Sequence, residues 1–440
     1  MLKTKILLLL IVLTSLSTFS QKKWDLEQCV NYALKNNITV KQNKLNVQLA
    51  EKDIEIAKGN FLPSLSGSTS PGLNFGSSIG QNGSRISTDN FRSGFSLNSN
   101  TTLYNGNRNK NTLKQSKLSV EGSKIDLAQV EDNISLQIVN TYLNVLFAKE
   151  NLAVAKMQAE VSKKQVERAK IQYNAGTIPK GGLLNAESTS SNDLQKIVTQ
   201  ENALNLALLQ LTQLLQIPSE GFDVKAMDVS DPSVELLYSN SNTIYQKALD
   251  IRPEIKRADL NVENANLNIE LSKGAYYPTL SFSAGAGSSY QYIFNKSLIN
   301  DPYFTQLNNN LGYNLGLSLN VPIFNRFQTK NNVAKSKINK EISEFRLENT
   351  KLQLQQTIEQ AFLDVKSAAK TYEAAQVSLT AQKEAFKNAQ ASYDYGSMTQ
   401  FDFDQVRNRL ANAKSEMIRA KYDYIFKTKV LKFYSGESIF

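Results

Sequence analysis

The sequence predicts an α+β membrane protein, with four transmembrane β-strands and long antiparallel coiled-coil helices in each chain. Three observations predict it. The 440-residue chain is a tandem duplication. Each half carries two segments of period-two alternation, the signature of a strand with unlike faces. Each half also carries a helical stretch of some 67 residues, at 107–173 and 326–393, far longer than a globular domain uses. Composition narrows the function. Histidine is absent, which removes His-based acid–base chemistry and His-ligated metals. One cysteine allows neither an intrachain disulfide nor a thiolate cluster, so no cofactor is expected.

The first 20 residues read as a signal peptide. Lys3 and Lys5 give its positive end, Ile6 to Leu13 its apolar centre, and Thr18 and Ser20 the small residues before cleavage. Ser15, Ser17, Ser20 and Lys22 interrupt the run too early for a spanning helix. The formal charge of +10 becomes +8 once the two lysines are removed. The remaining lysines are spread over helix faces, so no nucleic-acid partner is expected.

Shifted by 215, residues 33–66 fall on 248–281 without a gap, and 14 of the 34 positions are identical. They include Leu45/Leu260, Ala50/Ala265, Gly59/Gly274 and Pro63/Pro278. A shift of 220 then pairs Thr141-Tyr142-Leu143 with Ala361-Phe362-Leu363 and Tyr173…Gly176 with Tyr393…Gly396. The halves are 21–217 and 243–440, joined by 218–242 with its prolines, glycine and acids.

Each half has the same order of elements. A helix of about 34 residues comes first, at 25–58 and 243–273, with Trp24, Leu26, Val30, Ala33 and Leu34 at helical spacing. Cys29 beside that stripe is core packing. Gly59 and Gly274 end these helices, and Pro63 and Pro278 bar their continuation. Strands follow at 61–75 and 276–292, then at 91–104 and 311–323. From Leu311 to Ile323 every odd residue is apolar, and the even ones are glycine, asparagine, serine and proline. Ten to thirteen such residues at ~3.3 Å each cross a bilayer when tilted. Aromatics bracket them: Phe61, Tyr104, Tyr276, Tyr277 and Phe324 at one end, Phe75, Phe91, Tyr290 and Tyr292 at the other. The connections 76–90 and 293–310 read as polar loops. The long helix and a shorter one (183–216 or 403–434) complete each half. Ile358, Val365, Tyr372, Leu379, Phe386 and Tyr393 stand seven apart, with alanines three residues after several of them, as close-packed coiled coils require.

A helix of about 67 residues extends ~100 Å at 1.5 Å per residue. The two shorter helices of a half sum to the same length. Four strands cannot close a barrel, since the smallest outer-membrane barrels need ~8. Open edges in lipid leave backbone groups without partners, so the chain must oligomerise. Two copies are the minimum, and three give twelve strands around a lumen.

This constellation resembles the TolC family of outer-membrane efflux channels, over essentially the whole chain after the signal peptide. The resemblance rests on the duplication, on Gly59…Pro63 and Gly274…Pro278 at the helix-to-strand junctions, on the long helices, and on two turns. Those turns are Tyr173-Asn174-Ala175-Gly176-Thr177 and Tyr393-Asp394-Tyr395-Gly396-Ser397. It implies a homotrimer in the outer membrane of a Gram-negative bacterium, with a 12-stranded β-barrel continued by a periplasmic α-helical barrel. It implies docking of a periplasmic adaptor protein at the turns Tyr173, Gly176, Thr177, Tyr393, Gly396 and Ser397. Behind the adaptor it implies an inner-membrane pump, proton-driven or ATP-driven. In some members a ring of aspartates narrows the tip. Asp402, six residues after Gly396, falls on the first such position. Gln405 falls on the second, with Asp404 one residue before it. Asp402, Asp404 and Gln405 are therefore the gate candidates.

The expected function is a passive exit duct for small molecules, with protein secretion as the alternative duct and a structural coiled-coil or adhesin fibre as the alternative of another class. An enzyme is not expected. Gly76-Ser77-Ser78-Ile79-Gly80 spells G-x-S-x-G, but a nucleophile elbow needs a strand-to-helix turn and a histidine.

Overall fold

The computed structural model describes residues 23–81, 83–226, 238, 240–294 and 299–437. The expected signal peptide at 1–20 and residues 227–237 and 239 of the 218–242 junction lie outside them. The chain divides into two compact units. One contains the described part of residues 1–44 together with 126–256 and 350–440; the other contains 45–125 and 257–349. Each unit thus draws on both halves of the sequence.

The elements in chain order begin with α1 (Leu26–Asn36), α2 (Ile38–Gly59), β1 (Ser64–Asn74), β2 (Ser77–Ile79), β3 (Arg85–Ser87) and β4 (Asn90–Asn105). Then come α3 (Arg108–Asn174), α4 (Lys180–Leu215), α5 (Ser241–Ile251) and α6 (Pro253–Gly274). The chain ends with β5 (Thr279–Ile293), α7 (Tyr303–Asn309), β6 (Gly312–Asn320), α8 (Gln328–Asp394) and α9 (Gln400–Tyr434). The helices α3 and α8 run 67 residues each, and neither contains proline.

Two of the expected helices need correction. The 25–58 helix is broken at Asn37, where ψ turns to 132°. The Asn37 Oδ1 accepts from the Thr39 N–H at 2.8 Å and so starts α2, while its Nδ2 donates to the Leu214 carbonyl at 3.2 Å. The 243–273 helix is broken at Arg252, where ψ is 129°. Pro253 forces this, because its ring excludes the residue before it from the helical region.

In the helical unit, Asp25 and Gln28 form a reciprocal capping box at the start of α1. The stripe Leu26, Cys29, Val30 and Ala33 is buried in one apolar cluster with Tyr142 and Leu146 of α3, Leu211 and Leu215 of α4, and Ile418 and Ile425 of α9. Burial pushes the Cys29 thiol up to about 12, so it stays protonated and unreactive. The Tyr142 hydroxyl reaches the carbonyls of Trp24 and Lys225 at 3.2 and 2.6 Å. Trp24 also pairs with Val224, which holds the described start of the 218–242 junction. In the heptad series of α8, Ile358, Val365 and Tyr372 are buried, as are the offset Ala368, Ala375 and Ala389.

In the other unit, β1, β4, β5 and β6 form one antiparallel sheet in that order. Opposite residues share a face. One face carries Leu65, Leu97, Ala286 and Leu315, and the other carries Ser66, Asn98, Gly285 and Asn314. The last strand, expected over 311–323, stops at Asn320, two residues before Pro322. The expected polar loops contain structure of their own: the β2–β3 hairpin in 76–90, and α7 in 293–310. Phe91 meets Tyr290 at 6.2 Å, and Tyr290 meets Tyr303 of α7 at 4.7 Å. At the other end Phe61, Tyr276, Tyr277 and Phe324 are exposed. Among the described residues no helix is long and apolar enough to cross a membrane.

Candidate functional site

Both turns flagged in the sequence lie in the helical unit and close in the same way. In the first, the Gly176 N–H donates to Tyr173 O at 2.9 Å and the Thr177 N–H to Gln172 O at 2.9 Å. In the second, the Gly396 N–H donates to Tyr393 O at 3.1 Å and the Ser397 N–H to Ser392 O at 2.9 Å. These are paired Schellman bonds, and they satisfy carbonyls that a helix end leaves open. They need a left-handed residue at the glycine, and φ is +72° at Gly176 and +77° at Gly396. The Thr177 and Ser397 hydroxyls back up the bond, each donating at 2.9 Å to the same carbonyl as its own N–H.

Around the second turn the charges are organised. Arg168, near the end of α3, donates to Asp394 Oδ1 at 2.7 Å and to the carbonyls of Tyr393 and Asp394 at 3.0 and 3.1 Å. Its guanidinium lies over the Tyr393 ring, 4.6 Å from the centroid. A cation is thus held at the C-terminus of α8, where the helix dipole favours one. Tyr393 in turn stacks on the buried Phe403 at 4.7 Å.

The gate candidates diverge. Asp402 is exposed in the first turn of α9, and its backbone N–H and carboxylate both bond the Thr399 hydroxyl, at 3.2 and 2.7 Å. Gln405 is exposed. Asp404 turns inward to within 3.5 Å of Arg407, and its side chain is 18% exposed. Burial raises its carboxyl above the ordinary aspartate range, against the opposing pull of Arg407. Arg407 also pairs at 2.8 Å with Asp193 of α4, and both side chains are almost wholly buried.

Sequence reasoning missed Arg168, Asp193 and Arg407. A signal existed for two of them. Arg407 lies four after Phe403 and three before Leu410, and Asp193 lies seven after Ala186, so both are charges on a buried stripe. The junction residues sit as expected. Gly59 and Gly274 end α2 and α6, and β1 and β5 begin one residue after Pro63 and Pro278. The G-x-S-x-G segment forms β2 of a hairpin, with Ser78 opposite Ile86, so it makes no strand-to-helix elbow.

A sheet with one polar and one apolar face, carried with 67-residue helices that end in twin capped turns, has the alternation that strands between water and lipid require. The chain belongs to the outer membrane efflux protein family, whose model matches residues 29–215 and 244–437. It is 21% identical to the outer membrane efflux protein BepC of Brucella suis biovar 1 (strain 1330), over 91% of this chain and 82% of BepC. It is 22% identical to the outer membrane protein TolC of Escherichia coli (strain K12), over 69% of this chain and 61% of TolC. Its fold is similar to that of the Campylobacter jejuni CmeC outer membrane channel, with a TM-score of 0.75 and 22% identity, over 93% of this chain and 85% of CmeC. The protein is an outer-membrane efflux channel of a Gram-negative envelope that extends into the periplasm. The family and the fold are those of channels, not of known enzymes.

Proposed function

We infer that three copies of the chain form one duct, in which twelve strands close a barrel and the helices line a periplasmic passage. One observation carries this reading. The sheet ends in β1 on one side and β6 on the other, and among the described residues neither outer edge has a strand partner. In lipid such edges must be paired, and β1 of one copy can pair β6 of the next. The polar face, rich in serine, glycine and asparagine, then faces water, and the leucine-bearing face meets lipid. The two halves of the chain, 21–217 and 243–440, each contribute two of the four strands.

The duct is passive. It is joined through a periplasmic adaptor to an inner-membrane pump and expels small molecules. The twin turns at Gly176 and Gly396 are alike in their hydrogen bonds and solvent-exposed, which suits them to bind one repeated adaptor surface. Asp402 is the gate residue of choice, since three exposed carboxylates near an axis would favour cations. Asp404 turns inward toward Arg407 and away from solvent, which leaves Asp402 as the exposed carboxylate of the pair.

The test is a crosslinked pull-down of the tagged protein from cells, with cysteines at Gly176 and Gly396. Capture of an adaptor with a proton-driven pump supports small-molecule efflux. Capture with an ATP-driven exporter moves the reading to protein secretion. A monomeric mass in detergent overturns the architecture.

A further inference from the structure

The first turns of the two long helices carry the same unused charge. Residues 108–120 of α3 hold four cations and no acid, and so do residues 328–340 of α8. Shifted by 220, Lys110 falls on Lys330, Lys114 on Ala334, Lys117 on Lys337 and Glu121 on Glu341. These positions step by four and three, so each set forms one stripe along its helix. All five lysines are exposed, and among the described residues none makes a hydrogen bond or an ion pair. Beyond them the pattern changes, and Lys124 pairs with Glu121 at 3.3 Å. The helix dipole disfavours cations at an N-terminus, so the stripes do not serve the helices that carry them.

Contacts fix the sides of α3. The Asn109 amide donates to the carbonyl of Asn60, just past α2, at 3.0 Å. The Gln115 amide donates to Asn264 and Asn268 of α6 at 2.8 and 3.0 Å. Both flanks are thus taken within the chain, as they must be when β4 lies between β1 and β5. The lysines lie on neither line of contact. In α8 the stripe touches aromatics. The Lys330 ammonium lies over the Phe327 ring, 5.9 Å from its centroid, and Phe327 meets Phe324 edge-on at 5.5 Å. Both rings are exposed. The repeat partner of Phe324 is Tyr104, which stands in the row Tyr104–Leu280–Leu319 of the leucine-bearing face. The stripe therefore continues the leucine-bearing side of the sheet, past the aromatics at its border.

We propose that the two stripes bind anionic phospholipid headgroups of the periplasmic leaflet. Unpaired cations directly beyond a membrane border are what negatively charged headgroups attract. Lys110 and Lys330 are the third residues of their helices, and Lys117 and Lys337 the tenth. At 1.5 Å per residue they stand ~3 to ~14 Å past the helix starts. The polar layer of one leaflet is ~5–8 Å deep. The farther lysines reach back toward it, because helical side chains lean to the N-terminus. The strands enter both helices at that end, so the lean is toward the membrane. The apolar stems of the lysines suit the border as well, since they cover apolar surface while the ammonium stays in the polar layer. The proposal rests on the reading that the leucine-bearing face meets lipid.

The test uses the full-length assembled protein in phosphatidylcholine vesicles. A fluorophore at Lys114→Cys sits between Lys110 and Lys117, and Cys29 is buried and does not compete for label. The quencher is a minor fraction of phosphatidylglycerol or of phosphatidylcholine, spin-labelled at the top of one acyl chain. Phosphatidylglycerol is expected to quench more strongly, and its preference to shrink as salt is added. Adding Lys110→Gln and Lys117→Gln is expected to lower that preference roughly tenfold. Glutamine keeps the helix propensity of lysine, so the helix itself is retained. Equal quenching by the two lipids, or an unchanged preference in the glutamine variant, overturns the proposal. A fluorophore at Tyr104→Cys reports insertion itself. Quenching there but not at position 114 refutes the stripe while leaving the membrane reading intact. Quenching at neither position overturns the membrane reading, and the stripe with it.

Discussion

Replacing Arg407 with methionine removes the guanidinium that faces two carboxylates inside the helical unit. The Arg407 and Asp193 side chains are 3% and 1% exposed and 2.8 Å apart. Methionine keeps much of the volume, so the buried neighbours Phe403 and Leu410 retain their packing. What changes most is Asp193, the more deeply buried of the two carboxylates; Asp404, at 3.5 Å and 18% exposed, loses the weaker contact. The remaining cation of Asp193 is Lys196 at 3.1 Å, whose side chain is 57% exposed. A pair of that kind contributes at most ~1 kcal/mol, because water screens it. Breaking a buried pair from one side costs ~3–5 kcal/mol, since the other charge is left desolvated. The net expectation for Arg407→Met is a loss of about 3 kcal/mol. Removing both charges, with Asp193→Leu added, is expected to restore most of that loss, because no desolvated aspartate is left at position 193. The assay is urea unfolding in detergent, followed by the fluorescence of Trp24, the one tryptophan of the chain, which packs against Tyr32 at 5.1 Å in the helical core. A loss under about 1 kcal/mol for the single variant, or a double variant no better than the single, refutes the reasoning.

Gly176→Ala and Gly396→Ala each place a side chain at positive φ, where an added Cβ would meet no atom within 4 Å. The expected cost is therefore conformational alone, about 1–2 kcal/mol per site and alike at both, read by the same unfolding assay. Much unlike losses at the two turns would contradict their shared geometry. Burial holds the Asp404 carboxyl above its unfolded value, so its contribution to stability is full below the unfolded pKa of ~3.9 and is lost as pH rises through the folded one. Asp404→Asn is then expected to melt higher than the parent at neutral pH, with the gap closing on acidification. A gap that widens toward low pH refutes that assignment. Asp402→Ala is expected to weaken cation preference in planar-bilayer conductance, and an unchanged reversal potential removes Asp402 from the gate.

The sequence was most legible where structure is local. The turns at 173–177 and 393–397 could be read from Tyr–x–x–Gly alone, because a helix end needs a left-handed residue and glycine supplies it. Period-two alternation located the four strands of the sheet for the same reason. Reading was weaker where a single residue overrides a periodic pattern. The apolar stripe runs on through Asn37 and Arg252, so both helices looked continuous, although Pro253 carries enough information to break one of them.

By itself, the sequence determined the order of the four sheet strands and the long helices, the unlike faces of the strands and the closure of the helix turns. Each of these depends on residues within a few positions of one another. Only the tertiary structure decided which charges meet. Arg168 finds Asp394 across 226 residues of chain, and Arg407 draws Asp404 inward toward Asp193 while leaving Asp402 in solvent. It alone also set the register that places Phe95 and Leu97 between glycine, threonine, alanine and serine, where the sequence shows only alternation. The reason is physical. Local propensity is written in neighbours, whereas ion pairs and cross-strand rows depend on distances that no single segment fixes.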